Sequence, residues 1–286
     1  MSKKSRNIGI IILAVVVVLL FLIGPAAPLF ARLGINPICI QGEFPRVQFV
    51  SCPQATPVWD AVPQAPSVST PQPDAIPVIV DDDGSIDGLI ALLYFLSDPA
   101  FDVVAATVSY GEAHPTLYAP QMQQFLARLG YADIPVGAGR ETPLSATLEN
   151  TNAFPDPWRE NSDHFWGFAP PEKVETTAPL PAAELMVDTI LASPVPVMVF
   201  ISGAHTNLAE VLRLDPDILA NILSVQVMGG AVYVEGNIHS DWPEIDNRTA
   251  EWNIWVDPVA ASEVFSSGLP LHLTPLDDRI RALQGH

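Results

Sequence analysis

The alternation of apolar and polar positions divides the chain into three parts. Residues 8–23 are an uninterrupted, uncharged apolar run preceded by Lys3, Lys4 and Arg6. From Pro53 to Pro77 the chain is rich in Pro, Ala, Gln, Ser and Thr and has no sustained apolar period. From Ile76 onward, short apolar runs alternate with stretches of helical spacing. Val78 to Val80 reads as a buried strand that stops at Asp81, and Leu89 to Leu96 suits a buried helix. Phe101 to Tyr110 predicts a second strand, ending at Gly111-Glu112. Pro120 to Leu129 predicts a helix with Pro120 in its first turn, where proline is tolerated. A short strand follows at Ile134 to Val136. Glu141 to Pro179 is a polar, Pro-rich, aromatic-bearing excursion, and long loops in compact domains are often functional. Regular alternation returns with a helix at Ala182 to Leu191 and a strand at Val195 to Ile201. A turn at Ser202-Gly203 leads to a helix opening near Thr206. A strand at Val225 to Met228 and a helix at Pro258 to Phe265 complete the pattern. Such βαβ alternation predicts an α/β fold, a mainly parallel open sheet with helices on both faces.

The basic flank and apolar run of residues 1–31 predict a signal-anchor or signal peptide, with the remainder exported beyond the membrane. Leu29-Phe30-Ala31 is a poor small-x-small cleavage site, which favours a retained single-pass anchor over secretion. Residues 32–75 form a Cys-containing, Pro-rich linker; the composition from Pro53 to Pro77 buries too little apolar surface to fold and reads as a stalk. Residues 76–286 form the globular domain, long enough for one substantial core. The 286 residues carry two cysteines, Cys39 and Cys52, both outside that domain. In an oxidising compartment they are expected to pair. The formal net charge of −19 argues against a nucleic-acid partner, which would want a basic face.

Candidate chemistry concentrates at Asp81, Asp82, Asp83 and Asp87. A strand that ends in clustered acids and turns straight into a helix puts carboxylates at the carboxyl edge of a parallel sheet, where open α/β proteins bind ligands. Acids this close repel one another unless a hard cation, a sugar hydroxyl or a proton compensates them. An EF-hand fits poorly, because the twelfth position counted from Asp81 is Leu92 and not a bidentate Glu. Asp81 to Ser85 also resembles the Asp-x-Asp-Gly-Thr of haloacid-dehalogenase-type phosphatases. That chemistry needs a phosphate-binding lysine, and Lys173 is the only lysine beyond the stalk.

Four blocks in register resemble the inosine–uridine nucleoside hydrolase family. Asp81 to Gly88 is similar to its Asp-x-Asp-Pro-Gly-x-Asp-Asp signature. Gly203-Ala204-His205-Thr206-Asn207-Leu208-Ala209 is similar to Gly-Pro-Leu-Thr-Asn-Leu-Ala. Met228-Gly229-Gly230 with Gly236-Asn237 is similar to Met-Gly-Gly…Gly-Asn, and Ala250 to Pro258 to Ala-Glu-Phe-Asn-Ile-Tyr-Val-Asp-Pro. The resemblance spans residues 76 to 280. It implies hydrolysis of the N-glycosidic bond of a ribonucleoside, in nucleoside salvage, around a bound Ca²⁺. Asp83 would be both metal ligand and general base, and the Thr206 carbonyl a further ligand. Asp87, Met228, Asn237, Glu251 and Asn253 would hold the ribose, the last two on one side of an extended segment. A homo-oligomer is also implied.

The chain departs from the family pattern at three places. Gly88 stands where the signature has a metal-binding Asp. Glu112 stands where the family has Asn, and is a candidate to restore the lost ligand. A later His-Asp pair, which supplies a ligand and in some members a general acid, has no counterpart before His286, leaving His164, His205 and His239 as candidate acids. The alternative reading is therefore a catalytically impaired relative that binds ribosides or polyols, or serves as an interaction domain.

Overall fold

The computed structural model describes residues 38–41, 48–51, 70–147, 151–167 and 176–277. The predicted membrane segment, most of the stalk and Cys52 lie outside these residues. Among the described residues no helix is long and apolar enough to cross a membrane. The chain divides into two compact units, residues 1–64 and 65–286. In the first, β1 (Ile38–Gln41) pairs antiparallel with β2 (Gln48–Ser51), with Cys39 opposite Val50.

The second unit is built on a seven-stranded sheet. Its strands are β3 (Ile76–Asp82), β4 (Phe101–Val108), β5 (Val136–Ala138), β6 (Leu180–Pro181), β7 (Val197–Ile201), β8 (Ile222–Met228) and β9 (Leu271–Thr274). They lie in the order β6-β5-β4-β3-β7-β8-β9, and every pairing is parallel. β3 is central and buried from Pro77 to Asp82, as a strand covered on both faces must be. Ile79 turns to one face, joining Val199 and Ile201 of β7 and Val225 and Val227 of β8. That face is covered by α4 (Ala182–Ala192), α5 (Thr206–Leu214) and α8 (Pro258–Ser266). On the other side Phe95 of α1 (Ile86–Ser97) meets Phe101 and Phe200 edge-on, with ring centroids 5.0 and 5.2 Å apart. The parallel sheet read from the sequence is present.

Two helices differ from their expected form. α1 buries one face, through Leu89, Leu92, Phe95 and Leu96, while Ile90 and Tyr94 are 61% and 58% exposed. An unbroken apolar run hid the fact that the helix lies in an outer layer and meets the sheet along one stripe. α2 (Pro115–Arg128) begins five residues earlier than predicted. Pro115 occupies its first turn, and Pro120 lies inside the helix. The remaining helices are short: α3 (Asp156–Asp163), α6 (Ile238–Asp241) and α7 (Trp252–Val256).

The chain leaves β3 towards β4, β5 and β6, then returns to place β7 on the opposite side of β3. The order therefore reverses between β3 and β7, and a crevice opens outside their carboxyl ends, the position where such sheets bind ligands. Two buried aspartates brace this region. Asp81 Oδ1 accepts from Thr107 Oγ1 of β4 at 2.7 Å and from Asn207 Nδ2 of α5 at 2.8 Å, while its Oδ2 has no partner. Asp257 caps α8 by accepting from Ala260 N. It also accepts from Leu144 N at 2.7 Å, Ser145 N at 3.1 Å and Thr206 Oγ1 at 2.7 Å.

Each brace yields an expected outcome. Asp257→Ala leaves buried donors unpaired and removes a helix cap, so urea unfolding should show a loss of about 3 kcal/mol or more. Burial raises the Asp81 carboxyl from 3.8 to about 7, so between those values the folded chain keeps a proton that the unfolded chain releases. This contribution destabilises the fold progressively as pH rises from about 4 to about 7 and is constant above. The melting temperature of the wild type should therefore fall relative to that of Asp81→Asn across that range. A difference independent of pH would contradict this.

Candidate functional site

The loop from Asp83 to Ser85 is shaped by β3 on one side and the first turn of α1 on the other. Gly84 adopts φ +88°, a left-handed conformation that side chains resist. Ser85 then caps α1, its hydroxyl accepting from Gly88 N at 3.1 Å and donating to Asp82 Oδ1 at 2.9 Å. Asp82 Oδ1 also accepts from Ser202 Oγ at 3.0 Å, just beyond β7, and Oδ2 from Gly84 N at 2.9 Å. Trp166 Nε1 donates to the Gly84 carbonyl at 3.1 Å from across the excursion.

Asp83 is enclosed by glycine backbone. Gly111 and Gly203 press against it, and a Cβ on Gly203 would lie 2.6 Å from Asp83 Cβ. Its Oδ2 accepts from Glu112 N at 3.1 Å, and its Oδ1 is buried with no partner. Burial, reinforced by Asp82 and Glu112 nearby, holds the Asp83 carboxyl well above its usual range. Glu112 is pushed up to about 7, by burial first and then by Asp82 and Asp87. Its Oε1 accepts from Ser162 Oγ at 3.3 Å.

These acids open onto a cavity of about 170 Å³. Asp83, Asp87 and Glu112 line one side, with Ser85 and Ser202. Met228, Asn237, Glu251 and Asn253 line another, so seven residues singled out in the sequence meet in one space. Glu251 is the N-cap of α7, its carboxylate accepting from Asn253 N at 3.0 Å, Ile254 N at 3.3 Å and Gly230 N at 3.0 Å. Burial raises its pKa, against those three bonds. Asn253 Nδ2 donates to the Met228 carbonyl at 3.1 Å and to the Ser202 carbonyl at 3.3 Å. Asn237 Oδ1, from another residue of the lining, is also buried without a partner. The extended segment expected for Glu251 and Asn253 is instead a helix start. Both reach the cavity because Glu251 folds back over the first turn.

Other expectations are not met at the cavity wall. Thr206 is fully buried at the start of α5 with its hydroxyl on Asp257, and it is not part of the lining. None of the three candidate acids lines the cavity either. His205 is buried beside Phe265 with both ring nitrogens unpartnered, and burial lowers its pKa to about 4. His164 Nδ1 lies 2.6 Å from the Glu160 carbonyl. His239 Nε2 lies 2.6 Å from an Arg248 guanidinium nitrogen and must therefore accept from it. Among the described residues, no group of three or more Asp, Glu, His or Cys side chains is arranged to hold a metal ion.

The third wall was missed in the sequence. Phe154 and Trp158, from the excursion, line the cavity with Trp252 and Leu276. Phe154 stacks on Trp252 with centroids 4.8 Å apart and planes 20° apart, and Trp158 packs against Trp252 at 5.4 Å. The aromatic content of the excursion was a signal. Its placement was not, because residues a hundred positions apart form this wall.

Residues 78–283 match the profile of the family described as inosine-uridine preferring nucleoside hydrolase. The pyrimidine-specific ribonucleoside hydrolase RihA of Salmonella arizonae is 35% identical over 203 residues, covering 71% of this chain and 61% of the relative. RihA of Escherichia coli O81 is 34% identical over the same shares of both chains. The chain thus spans 61% of the length of these relatives. A solved inosine-uridine preferring nucleoside hydrolase from Bacillus anthracis superposes with a TM-score of 0.59 at 25% identity, covering 71% of this chain and 65% of that one. A purine-preferring ribonucleoside hydrolase from Gardnerella vaginalis gives 0.59 at 25% identity, covering 70% and 61%. With its acids at the reversal of the sheet and its matched blocks around one cavity, the chain belongs to the inosine-uridine preferring nucleoside hydrolase family.

Proposed function

We propose that the chain hydrolyses the N-glycosidic bond of ribonucleosides, with Asp83 as general base. The observation that carries this reading is the unpartnered, buried Asp83 Oδ1 in a cavity that otherwise offers sugar-binding groups and an aromatic wall. Asp83 would take the proton of the attacking water as the water's oxygen bonds to the anomeric carbon. The C–N bond breaks with its electrons leaving on the base, and positive charge builds on the sugar ring. Asp87 and Glu251 would stabilise that charge and, with Asn237 and Asn253, grip the ribose hydroxyls. The aromatic lining supplied by Phe154, Trp158 and Trp252 would suit a purine or a pyrimidine alike. RihA is named as pyrimidine-specific and the Gardnerella vaginalis enzyme as purine-preferring, and this wall distinguishes neither.

The oxygen donors that line the cavity are of the chemical type a hard divalent cation takes. Asp83 Oδ1 is a buried carboxylate oxygen with no hydrogen-bond partner, and Asp87 and Glu112 line the same space with oxygen ligands of the type Ca²⁺ prefers. Asp83 and Glu112 would hold it. A bound Ca²⁺ would supply positive charge that favours ribose hydroxyls and acidifies a water. Residues 8–23 would place this activity outside the cytoplasm, on an anchored or secreted chain.

One observation favours a second reading, a riboside binder without turnover: none of the described residues lining the cavity is a histidine that could protonate the leaving base. A reducing-sugar assay with inosine and uridine separates the two. Hydrolysis predicts ribose release that falls by at least about 10³-fold in Asp83→Asn, with riboside binding retained. Binding by calorimetry without ribose release from the wild type would support the second reading and contradict the first.

A further inference from the structure

Among the described residues, Phe165 and Trp166 are the non-glycine positions with left-handed backbone, both at φ +51°. Bulky side chains resist that conformation, and such strain persists only where the surroundings impose it. Phe165 is fully buried, its ring 4.9 Å from that of Tyr118 and 5.4 Å from that of Phe125, both on α2. With Phe165 anchored there, the strained turn brings the Trp166 indole to the acidic loop, where its Nε1 donates to the Gly84 carbonyl. Gly84 is a weak point of that loop. The related family signature has Pro at this position, which restricts φ, whereas glycine leaves the peptide after it free to turn. The other backbone in contact with Asp83 is held from the same excursion. Glu112 N donates to Asp83 Oδ2, and Ala113 N to the Asp83 carbonyl at 2.7 Å. Arg159 Nη2 in turn donates to the Ala113 carbonyl at 3.2 Å, and Asp163 Oδ1 accepts from His114 N at 2.7 Å. Residues 159–166 therefore fasten both stretches of backbone that set the direction of the Asp83 carboxylate.

We infer that Trp166 is a positioning residue for the reaction: its indole N–H fixes the Gly84 peptide and, through it, the aim of Asp83. The inference rests on the reading of Asp83 as general base. A reacting group misplaced by about 1 Å costs about a hundredfold in rate, so a bond to the residue next to the base bears on turnover. Glycine would suit φ +51° at position 166 better than tryptophan does, so the indole stands there against its own backbone preference. Its N–H does not touch the substrate cavity, and it acts only through the loop it holds.

Steady-state kinetics with inosine and uridine, thermal melting and amide hydrogen exchange on the full chain test this. Trp166→Phe keeps an aromatic ring and removes the N–H. It should lower kcat by about ten- to a hundredfold with KM within about twofold, and leave the melting temperature near that of the wild type. Exchange should quicken at the amides of Gly84, Glu112 and Ala113, whose bonds to Asp82 and Asp83 depend on the shape of the loop. Unchanged kcat, or unchanged exchange at those three amides, would overturn the inference and leave the general base in place. Melting well below the wild type with faster exchange throughout the domain would make Trp166 a packing residue, and would overturn it too. A wild type that releases no ribose would overturn the hydrolytic reading instead. Exchange at the three amides then decides alone: faster exchange in Trp166→Phe supports the hold on Asp83, and exchange equal to the wild type overturns it.

Discussion

Burial of like charges at the end of the central strand is the constraint on which the rest of the structure depends. Asp81, Asp82 and Asp83 are adjacent and all but sealed from solvent. A buried carboxylate must be hydrogen-bonded, protonated or paired. The fold treats the three differently. Asp81 receives a hydroxyl from β4 and an amide from α5, and so braces the sheet. Asp82 receives two hydroxyls and a backbone N–H, and so holds the loop. Asp83 receives a single backbone N–H on one oxygen and nothing on the other. Of the three, only Asp83 lines the cavity, and it has the most to gain from a ligand.

That distribution requires glycine around the acids. Gly88 yields its space to Asp82, while Gly111 and Gly203 yield theirs to Asp83. Each glycine comes from a different element, following β4 or β7 or opening α1, so the sheet and its reversal at β3 and β7 must be in place before the acids can be accommodated. The cost of concentrating charge is carried by the whole parallel core. Another part of the cavity lining is of a different kind, with Phe154 stacked on Trp252 and Trp158 packed against both, aromatic area that stabilises the fold. An acidic side beside an aromatic side matches the two halves of a nucleoside.

Much of this was legible in the sequence, for reasons that are local. An apolar run ending in acids and followed by a small-residue cap specifies a strand, a turn and a helix within a dozen positions. The Thr206 helix start and the strand ending at Met228 were readable in the same way. Glu251 and Asn253 both line the cavity, but from a helix start and not from the extended segment expected, because apolar-polar alternation over four residues does not distinguish a strand from an N-capped helix turn. Pro120 misplaced a helix start because Pro115 also satisfies the first-turn rule. The exposure of Ile90 and Tyr94 depends on which layer α1 occupies, and the meeting of Phe154 with Trp252 depends on contacts across a hundred residues. Neither is encoded in a local period.

The most direct test of the central claim, that the unpartnered oxygen of Asp83 faces a nucleoside's sugar in a cation-assisted site, is a crystal structure of the chain grown with calcium and ribose. The account predicts a cation on Asp83 Oδ1 and sugar hydroxyls within hydrogen-bond reach of Asp87, Asn237, Glu251 and Asn253. Ribose bound away from that cavity, or bound there with Asp83 Oδ1 contacting neither cation nor water, would contradict it.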